Sequence, residues 1–350
     1  MAEEKPLVRI KYLEYLRVFS MLCVILIHSC ITAITDFSEF SYGTTGGFVF
    51  YAVRNLCHFA VPIFFMISGT LFLNPDKGIT LERLVKRYVL KYVLVIVVFG
   101  WGFAFVEEVF RHHKIAFSYL LTSFINMIEG NSWNHMWYLY ELVGIMITLP
   151  LARVIIHALN DKEQKYLGVI CFMFLSAFPM LSHIFNVKIG IRFPLSSVYF
   201  FYLLLGYWAS KEKITINKAI CCVVVFVTVL ICVFDAYLYI KKGIEWSLAS
   251  YSSPFIIALS VAIFILFKNF INNAETAKFD YKIIPFLSKH SFAIYIIHMF
   301  WINLIYKALK FNPFEINALL GMIVIWFMVT ILSIASAMLM KKIPLLDKII

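Results

Sequence analysis

What most limits how this chain can fold is a recurrence: apolar runs of roughly 20 residues follow one another from end to end, separated by short polar breaks. A helical run of that length matches the hydrocarbon thickness of a bilayer. Reading runs against breaks places spans near residues 15–34, 50–73, 89–106, 135–156, 166–184, 196–210, 217–240, 250–268, 291–309 and 316–340. Inside lipid the backbone must satisfy its own hydrogen bonds, so these runs are expected to be helices. Composition agrees: with 62% hydrophobic and 15% charged residues and a mean hydropathy of +0.86, the chain has too little polar surface to coat a water-soluble globule. The expectation is an all-α integral membrane protein of about ten transmembrane helices. It forms a single transmembrane domain over residues 1–350, with no separate soluble domain. The sixth run, SSVYFFYLLLGYWAS, is short for a crossing, and the amphipathic stretch IAFSYLLTSFINMI at 115–128 is expected to lie on the surface or re-enter. The charged start MAEEKPLVRIKYLEYLR lacks a small-residue cleavage site, so no cleaved signal peptide is expected.

Lysine and arginine accumulate in cytoplasmic loops and so report orientation. With the N-terminus inside, twenty-two of the 31 fall on the inner side, including Lys5, Arg9, Lys77, Arg83, Lys86, Arg87, Lys91, Lys278 and Lys289. The outer loops carry nine, among them Arg54, Arg111, Arg192 and Lys307. Both termini are therefore expected in the cytoplasm, and the formal charge of +11 is a signal of topology rather than of nucleic-acid binding. The multi-pass pattern fits a cell membrane, plasma or inner.

All seven cysteines lie within the expected spans, without metal-ligand spacing, and read as core residues. No metal site is expected, nor a bound cofactor. Glycine-rich phosphate loops, HExxH and GxSxG are absent.

An ionisable side chain within a span is costly unless it faces a bundle interior or a wet cavity, so each one is a candidate for function. The set is Arg17, His28, His58, Glu141, Asp235 and His298. Arg17 and His28 stand eleven residues apart, almost three full turns, which puts them on one helix face about 16 Å apart along the axis. That separation is comparable to an extended pantetheine arm, so a cytoplasmic acyl-CoA could rest its nucleotide at the basic rim and present its thioester beside His28. The plainer alternative is that Arg17 snorkels to headgroups and His28 bonds a neighbouring helix. His58 precedes Pro62, which is expected to kink the second span beside a cavity wall, although interfacial histidines are commonly structural. Glu141 follows the aromatic cluster HMWYLYE, which an interfacial belt does not explain. Asp235 is expected at a solvated rim. The inner cluster Arg83, Lys86, Arg87 and Lys91 suits either anionic lipid headgroups or the phosphates of coenzyme A.

Four fragments, in order and on the right spans, resemble the type 3 membrane acyltransferase family, in particular its stand-alone surface-polysaccharide O-acetyltransferase branch. LEYLRVFSMLCVILIHS carries an Arg, ten residues, His signature on Arg17 and His28, and VPIFFMISG at 61–69 is similar to the family's Pro-x-Phe-Phe-x-x-Ser-Gly segment, with Ser68. His135-Met136-Trp137-Tyr138-Leu139 looks like the family's His-x-Trp-Tyr/Phe-Leu motif, and LSKHSFAIYIIH at 287–298 resembles a Ser-x-x-Ile-Tyr-x-x-His segment that includes Tyr295 and His298. The resemblance runs from about residue 10 to 342. One departure stands out: where members often carry Arg-x-x-Arg, this chain offers Arg83-x-x-Lys86 or Arg87-x-x-x-Lys91.

The resemblance implies transfer of an acyl group, usually acetyl, from cytoplasmic acyl-CoA as co-substrate to a hydroxyl of a cell-surface or lipid-linked glycan. Arg17 and His28 are then the expected catalytic pair, with Arg83, Lys86, Arg87 and Lys91 toward the donor. His135, Trp137, Glu141, His58, Ser68, Tyr295 and His298 are the candidates for the acceptor or the cavity wall. A neutral imidazole at His28 can take the proton of an attacking hydroxyl, and direct attack or a transient acyl-histidine both fit. The alternative is a transporter or flippase of a polysaccharide intermediate, but residues 1–165 and 166–350 show none of the correspondence that transporter repeats produce.

Overall fold

The computed structural model describes residues 10–75, 79–191, 195, 197–273, 282–315 and 317–350. Of the charges used to read orientation, Lys5, Arg9, Lys77, Arg192 and Lys278 lie outside the described residues. Among the described residues there is no strand, and nine helices are long and apolar enough to cross a bilayer. We number eleven helices in chain order: α1 Lys11–Asp36, α2 Thr45–Phe72, α3 Leu81–His112, α4 Tyr119–Ile128, α5 Asn134–Ala158, α6 Asp161–Phe185, α7 Val198–Ser210, α8 Lys218–Lys242, α9 Pro254–Asn273, α10 Ile283–Ala308 and α11 Ala318–Met340.

Local chemistry sets the helix starts. Thr80, Asn160, Ser197, Asn217 and Asn317 each turn a side-chain oxygen onto the first free N–H groups of α3, α6, α7, α8 and α11. At α6 the cap is reciprocal, because Glu163 also accepts from the Asn160 N–H at 2.8 Å. Pro62 has no N–H to give the fourth residue back, and α2 breaks there, at His58 and Phe59, into segments Thr45–Cys57 and Ala60–Phe72.

The amphipathic stretch after α3 folds back as α4. Trp101 donates its indole N–H to Leu120 O and Ser123 Oγ, both at 3.0 Å, and Glu108 accepts from Asn126 Nδ2 at 3.3 Å. Just before α4, Ile115 and Phe117 are 80% and 88% exposed, as apolar side chains are where lipid rather than water is the solvent.

The sixth expected span differs from its neighbours. α7 has 13 residues, about 20 Å of helix and less than the hydrocarbon core requires. It is nonetheless well enclosed, with Phe201 through Ala209 all buried. A short helix is tolerated because protein, not lipid, surrounds most of it. Its partner is the second segment of α2, and the crossing is glycine-mediated from both sides. A Cβ on Gly69 would run into the Leu203 backbone, and one on Gly206 into that of Met66. Thr70 Oγ1 then reaches Gly206 O at 3.1 Å.

Contacts between helix ends sort the loops onto two faces. On one face Arg17 Nη1 donates to Ser288 Oγ at 3.1 Å, Lys213 pairs with Asp161 at 2.8 Å, His157 donates to Leu73 O at 2.8 Å and Lys341 to Lys289 O at 3.2 Å. On the other, Lys307 pairs with Glu107 at 2.9 Å, His183 donates to Glu245 O at 2.8 Å, Lys241 reaches Gly43 O at 2.5 Å, and the Ser197 hydroxyl donates to Glu141. α1 and α10 run parallel, Arg17 meeting Ser288 near their starts and Ser29 O accepting from the Tyr306 hydroxyl near their ends. Hence residue 10 and the end of α11 lie on the same face. α1 sits at the centre, packed by α2, α9, α10 and α11.

Candidate active site

A cavity of about 680 Å³ opens at the face that holds residue 10 and runs inward between α1, α2, α3, α5 and α10. Its mouth is basic. Arg17 from α1, Arg83, Arg87 and Lys91 from α3, and Lys289 from α10 all line it, with Glu14 as the one acidic neighbour among them. Arg83, Arg87 and Lys91 share a face because a π-helical turn, Val85–Val89, widens α3 between them and keeps residues four apart in line. The same geometry turns Lys86 away. It is exposed, pairs with Glu82 at 2.6 Å and is not part of the lining. The Arg87 and Lys91 spacing, not Arg83-x-x-Lys86, therefore faces the cavity.

Deeper in, the walls are apolar and aromatic: Val24, Phe64, Trp137, Tyr138, Tyr251 and Tyr295. Ser68 also lines the cavity, its hydroxyl tied to Phe64 O at 2.9 Å. Trp137 packs against Tyr251 with ring centroids 5.8 Å apart.

His28 stands at the inner end, three turns along the same face of α1 from Arg17, and both line the cavity. Two further histidines converge on it. Ring centroids separate His28 from His298 by 5.2 Å, His135 from His298 by 5.2 Å and His28 from His135 by 6.3 Å. The tautomers of two are fixed, because a carbonyl can only accept. His298 Nδ1 donates to Tyr295 O at 2.5 Å and His135 Nε2 to Ile296 O at 3.1 Å. His298 Nε2 and His135 Nδ1 are consequently lone-pair acceptors, buried and without a hydrogen-bond partner. His135 reaches this depth because a single 3-10 turn, Asn134–Met136, opens α5 below the surface, and the Tyr295 hydroxyl donates to its carbonyl.

The remaining candidates sit elsewhere. His58 is buried, donates Nδ1 to Ala249 O at 2.5 Å, packs on Tyr251 and does not line the cavity. Glu141 accepts from Ser197 outside the lining, at the start of α7. Asp235 is not a solvated rim residue. It is 3% exposed and accepts from Leu248 N at 2.9 Å in the loop that follows α8 and from Asn55 Nδ2 at 3.1 Å, a partner far away in sequence that closes α8 against α2. Six of the seven cysteines are buried, Cys222 is exposed, and all are free thiols. No group of side chains suited to a metal ion occurs among the described residues.

Sequence reasoning counted Lys289 only as a loop charge. The available signal was periodicity: Ser288, Ser291, Tyr295 and His298 recur every three or four residues along α10, the spacing of one helix face. Lys289 stands at the mouth end of that face. The cavity lining confirms this for Ser288, Ser291 and Tyr295, while His298 lies just behind it, fully buried.

No curated protein and no solved structure matches the chain. A family model described as an acyltransferase domain matches residues 10–342, which spans both the basic mouth and the three histidines. The chain belongs to the acyltransferase 3 family and is a membrane acyltransferase.

Proposed function

We propose that this acyltransferase moves an acyl group, acetyl in the simplest case, from cytoplasmic acyl-CoA to a hydroxyl of a cell-surface or lipid-linked glycan. The observation that carries the reading is a single cavity that joins a cluster of cations to the half-buried His28 through an apolar channel. Phosphate groups of coenzyme A suit the mouth, where Arg17, Arg83 and Arg87 offer forked donors and Lys91 and Lys289 point charges. The pantetheine arm then lies against Leu13, Val24, Phe64 and Leu71, and the thioester arrives at His28. On this reading the face with residue 10 is cytoplasmic, as the distribution of lysine and arginine suggests, and the membrane is the cell membrane.

Chemistry at His28 needs no bound cofactor. The hydroxyl oxygen bonds to the thioester carbonyl carbon, the C–S bond breaks, and the hydroxyl proton passes to His28 and on to the departing thiolate. Trp137 and Tyr251 give a sugar ring two aromatic surfaces beside that carbon. The test is to incubate purified protein with labelled acetyl-CoA and membrane glycans and to follow products by mass spectrometry. Labelled acetyl on a glycan, matched by free coenzyme A, is the expected result. Coenzyme A release without acylated glycan would contradict the assigned acceptor.

A further inference from the structure

We propose that His298 is a positioning residue for His28: its Nε2 accepts the N–H of His28 and so fixes which nitrogen of His28 keeps a lone pair toward the acyl donor. The inference rests on the acyl-transfer reading and adds to it the group that sets the tautomer of the base.

Three observations converge. First, His298 Nε2 is a buried acceptor with no partner, because Nδ1 carries the hydrogen given to Tyr295 O at 2.5 Å. An acceptor left unpaired at full burial is costly unless something donates to it. Second, no hydrogen bond of the described residues engages the ring of His28, so that ring has nothing to give up when it turns. Third, the spacing selects the partner. At a centroid separation of 5.2 Å, two imidazoles with nitrogens aimed at each other stand about 3 Å apart, hydrogen-bond distance. At the 6.3 Å between His28 and His135 they remain about 4 Å apart, beyond it.

In this structure the His28 and His298 rings are tilted by 49° and no bond joins them, so His28 must rotate to make it. Catalytic hydrogen bonds are often loose until the reacting groups are in place. His298 is 0% exposed and absent from the cavity lining, so it touches neither donor nor acceptor and acts only through His28. With one His28 nitrogen donating to His298, the other is left to take the hydroxyl proton. The resulting imidazolium keeps its bond to His298 and returns the proton to the coenzyme A thiolate, so protons balance over the cycle. His135 lines the cavity wall, while its Nδ1 is buried and takes no part in this arrangement.

Two substitutions separate this role from packing, because the amide of asparagine falls near Nδ1 of a histidine and that of glutamine near Nε2. His298→Asn can keep the bond to Tyr295 but has no acceptor toward His28. His298→Gln restores an acceptor oxygen there and gives up the bond to Tyr295. The expected result is a kcat about 100-fold below wild type for His298→Asn and within about 10-fold for His298→Gln. Donor KM and coenzyme A binding should be unchanged in both. Equal losses, or a more active asparagine variant, would overturn the assignment. Should neither variant extract in folded form, nitrogen NMR of the wild type with labelled histidine reads the same point. A bare Nε2 on His298 supports the assignment and a protonated one overturns it. If the wild type binds no coenzyme A, the donor reading fails with it, whereas normal wild-type turnover without the asparagine and glutamine contrast sinks this inference alone.

Discussion

The two ends of the cavity are built on opposite principles. At the mouth, charge comes from five long side chains on three helices, of which Arg87 and Lys289 are exposed, and Arg17 donates to the Ser288 hydroxyl. At the inner end, three imidazoles on three helices converge within 6.3 Å, two of them tied to backbone carbonyls. If the mouth holds the donor as proposed, several cations share the work of binding, so losing one weakens it by a moderate, salt-dependent factor. A single base at the inner end has no substitute, so losing it should stop the chemistry while leaving binding intact. The contrast separates affinity from rate within one cavity.

The largest expected effect is all or none and asks which side the mouth faces. With Cys222→Ser as background, a cysteine at exposed Glu39 should react with an impermeant thiol reagent from outside, and one at Lys162 only after lysis. Reaction of both from one side would break the two-faced arrangement.

Next comes His28→Ala. The loss of a general base predicts a fall in kcat of about 10²- to 10⁴-fold with extraction, thermal stability and coenzyme A binding close to wild type. Activity above about a tenth of wild type would make His28 a packing residue.

Smaller effects belong to the mouth. Removing a charge-assisted bond to phosphate costs about 1.5–3 kcal/mol, roughly 10- to 150-fold in affinity. Arg17→Ala and Arg87→Ala are both expected within that range. Both should raise donor KM more than they lower kcat, and both effects should shrink as salt rises. Lys86→Ala, one residue away but turned out of the cavity, should change KM by less than about twofold. Equal effects of Lys86 and Arg87 would mean that the π turn in α3 does not select between them.

Much of the fold was legible in sequence because a bilayer leaves little freedom. Each crossing needs an apolar run of set length, and the long helices fall on the expected spans with the break in α2 beside Pro62. Arg17 and His28 were legible for a similar reason, since one unbroken helix carries both and spacing alone aligns them. Where the answer depended on contacts distant in sequence, the reading stopped short. Asp235 looked like a rim residue because its partner Asn55 lies on α2, 180 residues away. Nothing in the residues 85–89 announces a π turn, so the choice between Lys86 and Arg87 stayed open. The meeting of His135 and His298 with His28 is tertiary, and no local pattern encodes it.

The central claim is that the basic mouth is a coenzyme A site leading to His28, and calorimetric titration of the purified wild type with coenzyme A tests it most directly. Saturable binding that weakens as salt rises, and that survives His28→Ala but falls at least about tenfold in Arg17→Ala, is the predicted result. No binding by the wild type up to millimolar coenzyme A would contradict it.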